Sequence, residues 1–231
     1  MKLAVMQPYF FPYIGYWQLF NYVDRFVIYD NIEYTKKGWI NRNRFLQDGK
    51  AVYMTVPLEK DSDYLDIKKR RISEEFWKRK ILHQLSAAYK KAPYYEEIIR
   101  LVEEIYKVDN NNLFEFLQET IRMIVDVLDI DTELITSSDL DENPELRGQA
   151  RVINTCKLCN ADQYINPIGG VDLYDKEIFK KAGIDMFFLE PKLTPYKQFN
   201  DVFVPSLSII DMLMFCGIKE TKKNLDDFEL V

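Results

Sequence analysis

Three short motifs hold most of the side chains in this 231-residue chain that could do chemistry. The first, Gln7 to Tyr16, is rich in aromatic residues and contains a Pro-Tyr-Ile-Gly-Tyr turn. Glycine at a strand-to-helix turn lets the backbone approach a phosphate, and the helix N-terminus favours negative charge. We therefore predict ligand contacts from Gln7, Tyr9, Tyr13, Gly15 and Tyr16. The alternative is an aromatic helix start that packs on a sheet, with Gly15 permitting close contact.

The second motif, residues 30–44, follows an apolar segment and is more polar than a simple loop requires. Arg and Lys bind phosphate or carboxylate, Trp stacks on a base or sugar face, and Asn binds hydroxyl groups. The predicted substrate-binding residues here are Tyr34, Lys37, Trp39, Asn41, Arg42 and Asn43. The carboxylate of Asp30 is the predicted catalytic group, either as a general base or as the holder of a metal ion. The alternative is a solvated hairpin with Trp39 as a core anchor.

The third motif, Asn-Pro-Ile-Gly-Gly at 166–170, lies between a predicted strand and a predicted helix. Paired glycines can expose backbone N–H groups to an anion, although a tight turn with positive φ also favours glycine. We predict binding roles for Gly169, Gly170 and the nearby Tyr164, and for two residues further on, Tyr196 and Gln198.

The remaining reactive residue types favour structural roles. Cys156 and Cys159 form a CxxC pair inside a predicted helix, and no second Cys or His pair accompanies them, so we predict packing and no metal site. His83 is the single histidine and has no partner at ligand spacing. Asp211 lies among apolar residues, where a carboxylate requires a partner or a shifted pKa.

Apolar periodicity predicts the elements that position these motifs. Predicted strands cover 2–6, 25–29, 51–58, 133–136, 163–166 and 186–189, with a further one at 65–72. The first predicted helix begins near residue 13. Further helices are predicted at 73–89, 95–106, 113–128, 143–159, 173–182 and 204–215. Ser73, followed by two glutamates, is a typical helix cap.

This alternation predicts an α/β fold with a mainly parallel, Rossmann-like sheet flanked by helices. We expect one domain over 1–231, with a helical insertion at about 73–128 and a flexible tail at 219–231. Because ligands bind beyond the carboxyl ends of parallel strands, the three motifs are expected to meet at that edge.

Composition narrows the class of ligand and the location. The net charge is −6, which disfavours a non-specific nucleic-acid binder because such proteins need a basic excess. No apolar run is long enough for a membrane span, and the N-terminus lacks the pattern of a signal peptide. We therefore expect a cytoplasmic protein with a small-molecule substrate.

Several long segments resemble the WbqC-like family of bacterial proteins. They are MQPYFFPYIGYWQLF at 6–20, DRFVIYDNIEYTKKGWINRNRF at 24–45, YKKAPYY at 89–95, YINPIGGVDLY at 164–174 and SIIDMLMFCG at 208–217. The family pattern often places His directly after Trp-x-x-Lys, whereas Ile81 follows Lys80 here. This departure weakens any role for histidine.

The resemblance implies an enzyme of O-antigen or other surface-polysaccharide sugar biosynthesis. The expected activity is a transferase that modifies a nucleotide-linked amino sugar, for example by acyl or glycyl transfer. One alternative is a nucleotidylyltransferase or ATP-dependent activating enzyme, which would use a nucleotide with Mg²⁺ as its cofactor. Another is a non-catalytic sugar-binding or assembly subunit. The sequence does not identify the cofactor.

Overall fold

A computed structural model describes residues 1–62, 64–73 and 76–231. The fold is α/β, with a six-stranded sheet and a separate two-stranded hairpin. The strands are β1 Lys2–Met6, β2 Arg25–Ile28, β3 Arg42–Gln47, β4 Lys50–Thr55, β5 Glu133–Thr136, β6 Gln163–Pro167, β7 Asp185–Pro191 and β8 Phe228–Leu230. The helices are α1 Ile14–Tyr22, α2 Trp77–Tyr89, α3 Tyr95–Ile105, α4 Leu113–Leu128, α5 Gly148–Leu158, α6 Lys176–Lys181 and α7 Ile209–Lys223.

The main sheet has the order β5–β2–β1–β6–β7–β8. Strands β5, β2, β1, β6 and β7 are parallel, and β8 pairs antiparallel with β7. From β1 the chain moves outward through β2 to β5, then crosses back to β6 on the other side of β1. This reversal makes β1 and β6 the switch point of the sheet, where a crevice opens at the carboxyl ends of the strands.

Two hydrophobic cores cover the two faces of this sheet. Successive side chains of a strand point to opposite faces. Ala4 accordingly joins a large core with α1, α4 and α7, whereas Leu3 and Val5 join a smaller core. The smaller core also contains Cys156 and Cys159, and burial raises the pKa of the Cys156 thiol to about 12. Both thiols therefore pack as small apolar groups, as the sequence predicted.

Several element predictions differ from the structure. The strand predicted at 65–72 is wrong, because the segment forms a 3₁₀ turn at Ile67–Lys69 and isolated bridges only. The helix predicted from residue 143 begins at Gly148. The helix predicted from residue 73 begins at Trp77, and the capping glutamates 74 and 75 lie outside the described residues.

Secondary structure covers most of residues 219–231, the segment for which the sequence predicts a flexible tail. Helix α7 continues to Lys223, with a kink at Gly217, and β8 adds an edge strand to the sheet. The ring of Phe228 lies 5.1 Å from that of Tyr22, so an apolar contact fastens β8 to α1. The pairing of β8 with β7 and the contact between Phe228 and Tyr22 hold the last residues of the chain against the rest of the fold.

Candidate functional site

A cleft of about 440 Å³ opens at the carboxyl ends of β1, β6 and β7. We call it the switch-point cleft. Its lining residues are Tyr9, Pro12, Tyr13, Trp39, Asn43, Arg44, Ile168, Glu190, Pro191, Leu193 and Ser206. The volume lies within the range of about 300–1,000 Å³ that is typical of small-molecule sites.

Buried hydrogen bonds fix the β3–β4 hairpin against the segment after β1. The side chain of Asn43 is buried, and its Nδ2 donates to the carbonyls of Phe10 at 3.0 Å and Phe11 at 2.8 Å. The Phe10 N–H donates to the carbonyl of Trp39. Asn43 was predicted as a substrate contact, but this amide nitrogen is occupied in holding the cleft wall.

The guanidinium of Arg44 is the positively charged group that lines the cleft. Its Nη2 donates to the Ser206 carbonyl at 3.2 Å, and its guanidinium carbon lies 5.3 Å from the centre of the Trp39 ring. Its Nε is buried and has no hydrogen-bond partner within the described residues. A buried donor without an acceptor is unfavourable by about 1–3 kcal/mol. The guanidinium as a whole lines the cleft and forms no ion pair within the described residues, so its charge is suited to an anionic ligand.

An aromatic platform borders Arg44. The rings of Trp39 and Tyr53 stack with 6.3 Å between centroids, and they are 36% and 48% exposed. The guanidinium carbon of Arg42 lies over the Tyr53 ring, 4.6 Å from its centre. Trp39 is therefore a surface residue and not the core anchor of the alternative hypothesis. Exposed stacked rings beside cations suit a flat, negatively charged ligand.

Two phenols and one carboxylate complete the polar lining. Burial raises the pKa of Tyr9 and of Tyr13, so both phenols are protonated at neutral pH and can donate hydrogen bonds. Glu190 lies at the end of β7 with its side chain exposed to the cleft. No ion pair of Glu190 occurs among the described residues.

The other predicted residues of the first motif support the cleft from behind. Tyr16 is buried and its hydroxyl donates to the Gln7 carbonyl at 3.1 Å. Gly15 lies at the start of α1, where a Cβ would be 2.6 Å from the ring of Tyr13. The space that this glycine leaves is therefore filled by Tyr13, which is a packing role and not an approach to phosphate.

The second motif divides between the cleft and its scaffold. The hydroxyl of Tyr34 donates to the side chain of Asn41 at 2.7 Å, and Asn41 Nδ2 donates to the Val56 carbonyl at 2.8 Å. Arg42 donates to the carbonyls of Gly38 and Lys37, which fastens the loop before β3. These bonds hold the hairpin, and the side chain of Lys37 is exposed outside the cleft.

The third motif forms a 3₁₀ helix at Ile168–Leu173 that places Ile168 in the cleft. Gly169 borders open space, and a Cβ on Gly170 would lie 2.1 Å from Nδ2 of Asn166. Neither glycine has positive φ, so the tight-turn alternative does not apply. Tyr164 is fully buried in the smaller core.

Asp30 lies apart from the switch-point cleft, below a second open cleft at the ends of β2 and β5 that includes Asn31 and Ser138. Its Oδ1 accepts from the Ser137 hydroxyl at 2.8 Å and from the Ser138 N–H at 3.0 Å, and Lys68 lies 3.4 Å from Oδ2. Burial raises the pKa of this carboxyl, but these donors and the charge of Lys68 outweigh burial and lower it. A lowered pKa makes a weak general base.

Tyr196 and Gln198 also serve a buried carboxylate. Asp211 is fully buried and accepts from Tyr89 at 2.6 Å, from Tyr196 at 2.6 Å and from Gln198 at 2.8 Å. Its partners are neutral, and burial raises its pKa despite their hydrogen bonds. The Tyr89 hydroxyl in turn accepts from the Leu46 N–H of β3 at 2.7 Å. The network therefore joins β3 to the start of α7.

Sequence reasoning missed three polar residues of the cleft: Arg44, Glu190 and Ser206. Arg44 belonged to the polar run after Asp30 and could have been singled out as a cation two residues from Arg42 on the same strand face. Glu190 and Ser206 carry no local signal, because the strand order alone brings them to the switch point.

Within the described residues, no group of three or more His, Cys, Asp or Glu is placed to hold a metal ion. None of the described helices combines the length and the apolar character that crossing a bilayer requires.

The fold and the cleft define an α/β protein with a ligand-sized crevice at the switch point of a mainly parallel sheet. Comparison with known proteins is more specific. The WbqC-like protein family model matches residues 7–223, and the chain belongs to that family. It is 29% identical over 219 residues to a Mycobacterium tuberculosis protein described as "Uncharacterized protein Rv1507c", covering 94% of each chain. No solved structure matches the chain significantly.

Proposed function

We propose that the switch-point cleft binds a nucleotide-linked amino sugar and that the protein is a transferase of surface-polysaccharide sugar biosynthesis. The observation that carries the proposal is the Arg44 guanidinium, which lines the cleft, forms no ion pair within the described residues and lies beside the exposed Trp39 ring. A phosphate supplies the acceptor, and a base or sugar ring supplies a stacking face. Membership of the WbqC-like family, which the resemblance above links to surface-polysaccharide sugar biosynthesis, supports the same class of substrate.

Each wall of the cleft fits one part of such a substrate. The phosphates pair with Arg44, and the sugar hydroxyls accept hydrogen bonds from Tyr9 and Tyr13. Glu190 faces the same space from β7 and suits the amine of an amino sugar. A ligand with an anionic and a cationic end therefore matches the two unpaired charges of the cleft.

The chemistry that follows is acyl transfer to the sugar amine, with Glu190 as the base in place of Asp30. The amine nitrogen forms a bond to the acyl carbon, the bond from that carbon to the leaving group breaks, and Glu190 accepts the proton that the nitrogen loses. The acyl group comes from an activated acyl compound that the reaction consumes.

Binding is tested first, by calorimetry with uridine, guanosine and thymidine diphosphate sugars that carry a free amine. We expect at least one to bind and Arg44→Gln to weaken it about 10-fold or more, because a hydrogen bond to a charged group contributes about 1.5–3 kcal/mol. Lys50→Gln is the matched control, since it removes one positive charge from the same hairpin outside the cleft. Equal binding by Arg44→Gln and the wild type contradicts the proposed site.

Turnover is tested next, by mass spectrometry of the sugar product in the presence of activated acyl compounds. Glu190→Gln removes the base and should lose product formation even at sugar concentrations that saturate the variant. Binding without turnover by any donor would instead favour a sugar-binding subunit of the pathway.

A further inference from the structure

We propose that Ser206 completes a phosphate subsite with Arg44, an inference that rests on the proposed function of the switch-point cleft. Ser206 lies in the segment before α7 and lines the cleft with Arg44. Nothing in the sequence distinguishes it from the other serines of the chain, and its assignment depends on its backbone and its neighbours.

The backbone of Ser206 is left-handed, with φ of 54°. This region favours glycine, and a residue with a Cβ is strained there unless its side chain compensates locally. The Ser206 hydroxyl has no hydrogen bond to the described residues. Non-glycine residues held in this conformation cluster at binding sites, where the side chain has a function that glycine lacks.

Contacts on both sides hold this strained residue in place. Its carbonyl accepts from Arg44 Nη2 at 3.2 Å, and the Ser208 N–H donates to the Arg44 carbonyl at 2.8 Å. The Ile209 N–H donates to the Pro12 carbonyl at 3.0 Å. The Arg44–Ser206 contact orients the guanidinium, and both residues line the same cleft.

This arrangement points to one acceptor group shared by two donors. A phosphate oxygen bound by Arg44 lies beside Ser206, and the serine hydroxyl can donate to a second oxygen of the same group. The diphosphate of the nucleotide-linked sugar is the part of the substrate that this subsite holds.

The test uses inorganic pyrophosphate as the probe and calorimetry as the assay. The wild type should bind pyrophosphate, and Ser206→Ala should weaken that binding about 10-fold, because a hydrogen bond to a charged group is lost. Ser206→Ala and Arg44→Gln together should weaken it by less than the product of the separate effects, since both contact one group. Unchanged affinity in Ser206→Ala, or no pyrophosphate binding by the wild type, overturns the inference.

A second variant separates the hydroxyl from the backbone. Ser206→Gly should raise the folding equilibrium constant about 5-fold by removing the strain, while weakening pyrophosphate binding as Ser206→Ala does. Asn160→Gly is the matched control, because Asn160 is also left-handed, with φ of 55°, and lies outside the cleft. It should leave pyrophosphate binding unchanged.

Failure of the proposed function is distinguishable from failure of this inference. If pyrophosphate binds and depends on Ser206 while no nucleotide-linked sugar binds, the phosphate subsite stands and the substrate class is wrong. If a nucleotide-linked sugar binds with Arg44 dependence and Ser206→Ala matches the wild type for both ligands, the substrate class stands and Ser206 has no part in the subsite.

Discussion

Replacement of Asp211 by alanine should destabilise the protein by about 3–4 kcal/mol, although Asp211 lies outside the cleft. The carboxylate accepts from Tyr89, Tyr196 and Gln198, and its side chain is fully buried. Removing one partner of a buried polar network leaves the others unsatisfied, at about 1–3 kcal/mol for each buried donor.

The three donors do not contribute equally to that figure. Tyr89 is fully buried, so its hydroxyl proton loses its acceptor entirely. Gln198 Nε2 keeps a bond to the Val204 carbonyl at 3.2 Å, and Tyr196 is partly exposed and can donate to water. The total is therefore about 3–4 kcal/mol and not three times the largest value. Asp211→Asn keeps one acceptor and the side-chain volume, and should lose about half as much.

Urea unfolding of the wild type and the two variants gives the comparison, with equal slopes required for a valid difference. Asp172→Ala, at an exposed aspartate, is the control and should change stability by less than about 0.5 kcal/mol. A loss in Asp211→Ala no larger than that of the control would refute the network as a source of stability. The Tyr89 hydroxyl also accepts a hydrogen bond from the Leu46 N–H, and Leu46 lies two residues after Arg44 on β3. Asp211→Ala should therefore also weaken the binding of a ligand to Arg44.

Three further predictions concern the pH dependence of stability and the packing of the cleft wall. The lowered pKa of Asp30 means that its carboxylate stabilises the fold above its ordinary pKa of 3.8 and that this contribution is lost as the pH falls through the folded-state value. Asp30→Asn should therefore lose most stability at neutral pH, with the difference from wild type shrinking in acid. The raised pKa of Asp211 gives the opposite slope, so the stability difference between Asp211→Asn and wild type should be largest below 3.8 and decrease as the pH rises. Urea titrations at several pH values test both predictions. The same pH dependence of the stability difference in the two variants would contradict the opposite pKa shifts of Asp30 and Asp211. Gly15→Ala places a Cβ 2.6 Å from the Tyr13 ring, which should push that ring into the cleft, reduce stability by about 1–3 kcal/mol and weaken ligand binding. Unchanged binding in Gly15→Ala would show that Tyr13 does not shape the site.

The sequence was sufficient for elements whose apolar periodicity is strong. The strands Lys2–Met6 and Glu133–Thr136 and the helix Leu113–Leu128 were predicted with the observed bounds. Apolar periodicity did not predict the strand whose structure depends on pairing with a neighbouring strand. β3 reads Arg-Asn-Arg-Phe-Leu-Gln, which shows no clean alternation, and it becomes a strand because β4 pairs with it along its whole length. The cation of the cleft was missed for this reason.

The site was predictable in part because strand ends mark its position. Tyr9, Tyr13 and Trp39, which the first two motifs predict as substrate contacts, line the cleft. The strand order could not be read from the chain, and that order brings Glu190 and Ser206 to the same space. Tyr196 and Gln198 were assigned to substrate by residue type, but the buried carboxylate of Asp211 takes their hydrogen bonds.

The charged groups of this fold divide into two kinds, those whose partners lie within the protein and those that face the cleft without an ion pair among the described residues. Asp30 and Asp211 are buried and fully supplied with donors, so their hydrogen bonds hold segments of the chain together. Arg44 and Glu190 face the cleft, and neither forms an ion pair within the described residues. A buried aspartate at a strand end is therefore not the strongest catalytic candidate here, because a group that is already satisfied has little to gain from a ligand. Arg44 and Glu190, which lack an ion pair within the described residues, are the groups whose replacement should change binding more than stability. The paired measurements on Arg44 and Asp211 decide whether this division holds.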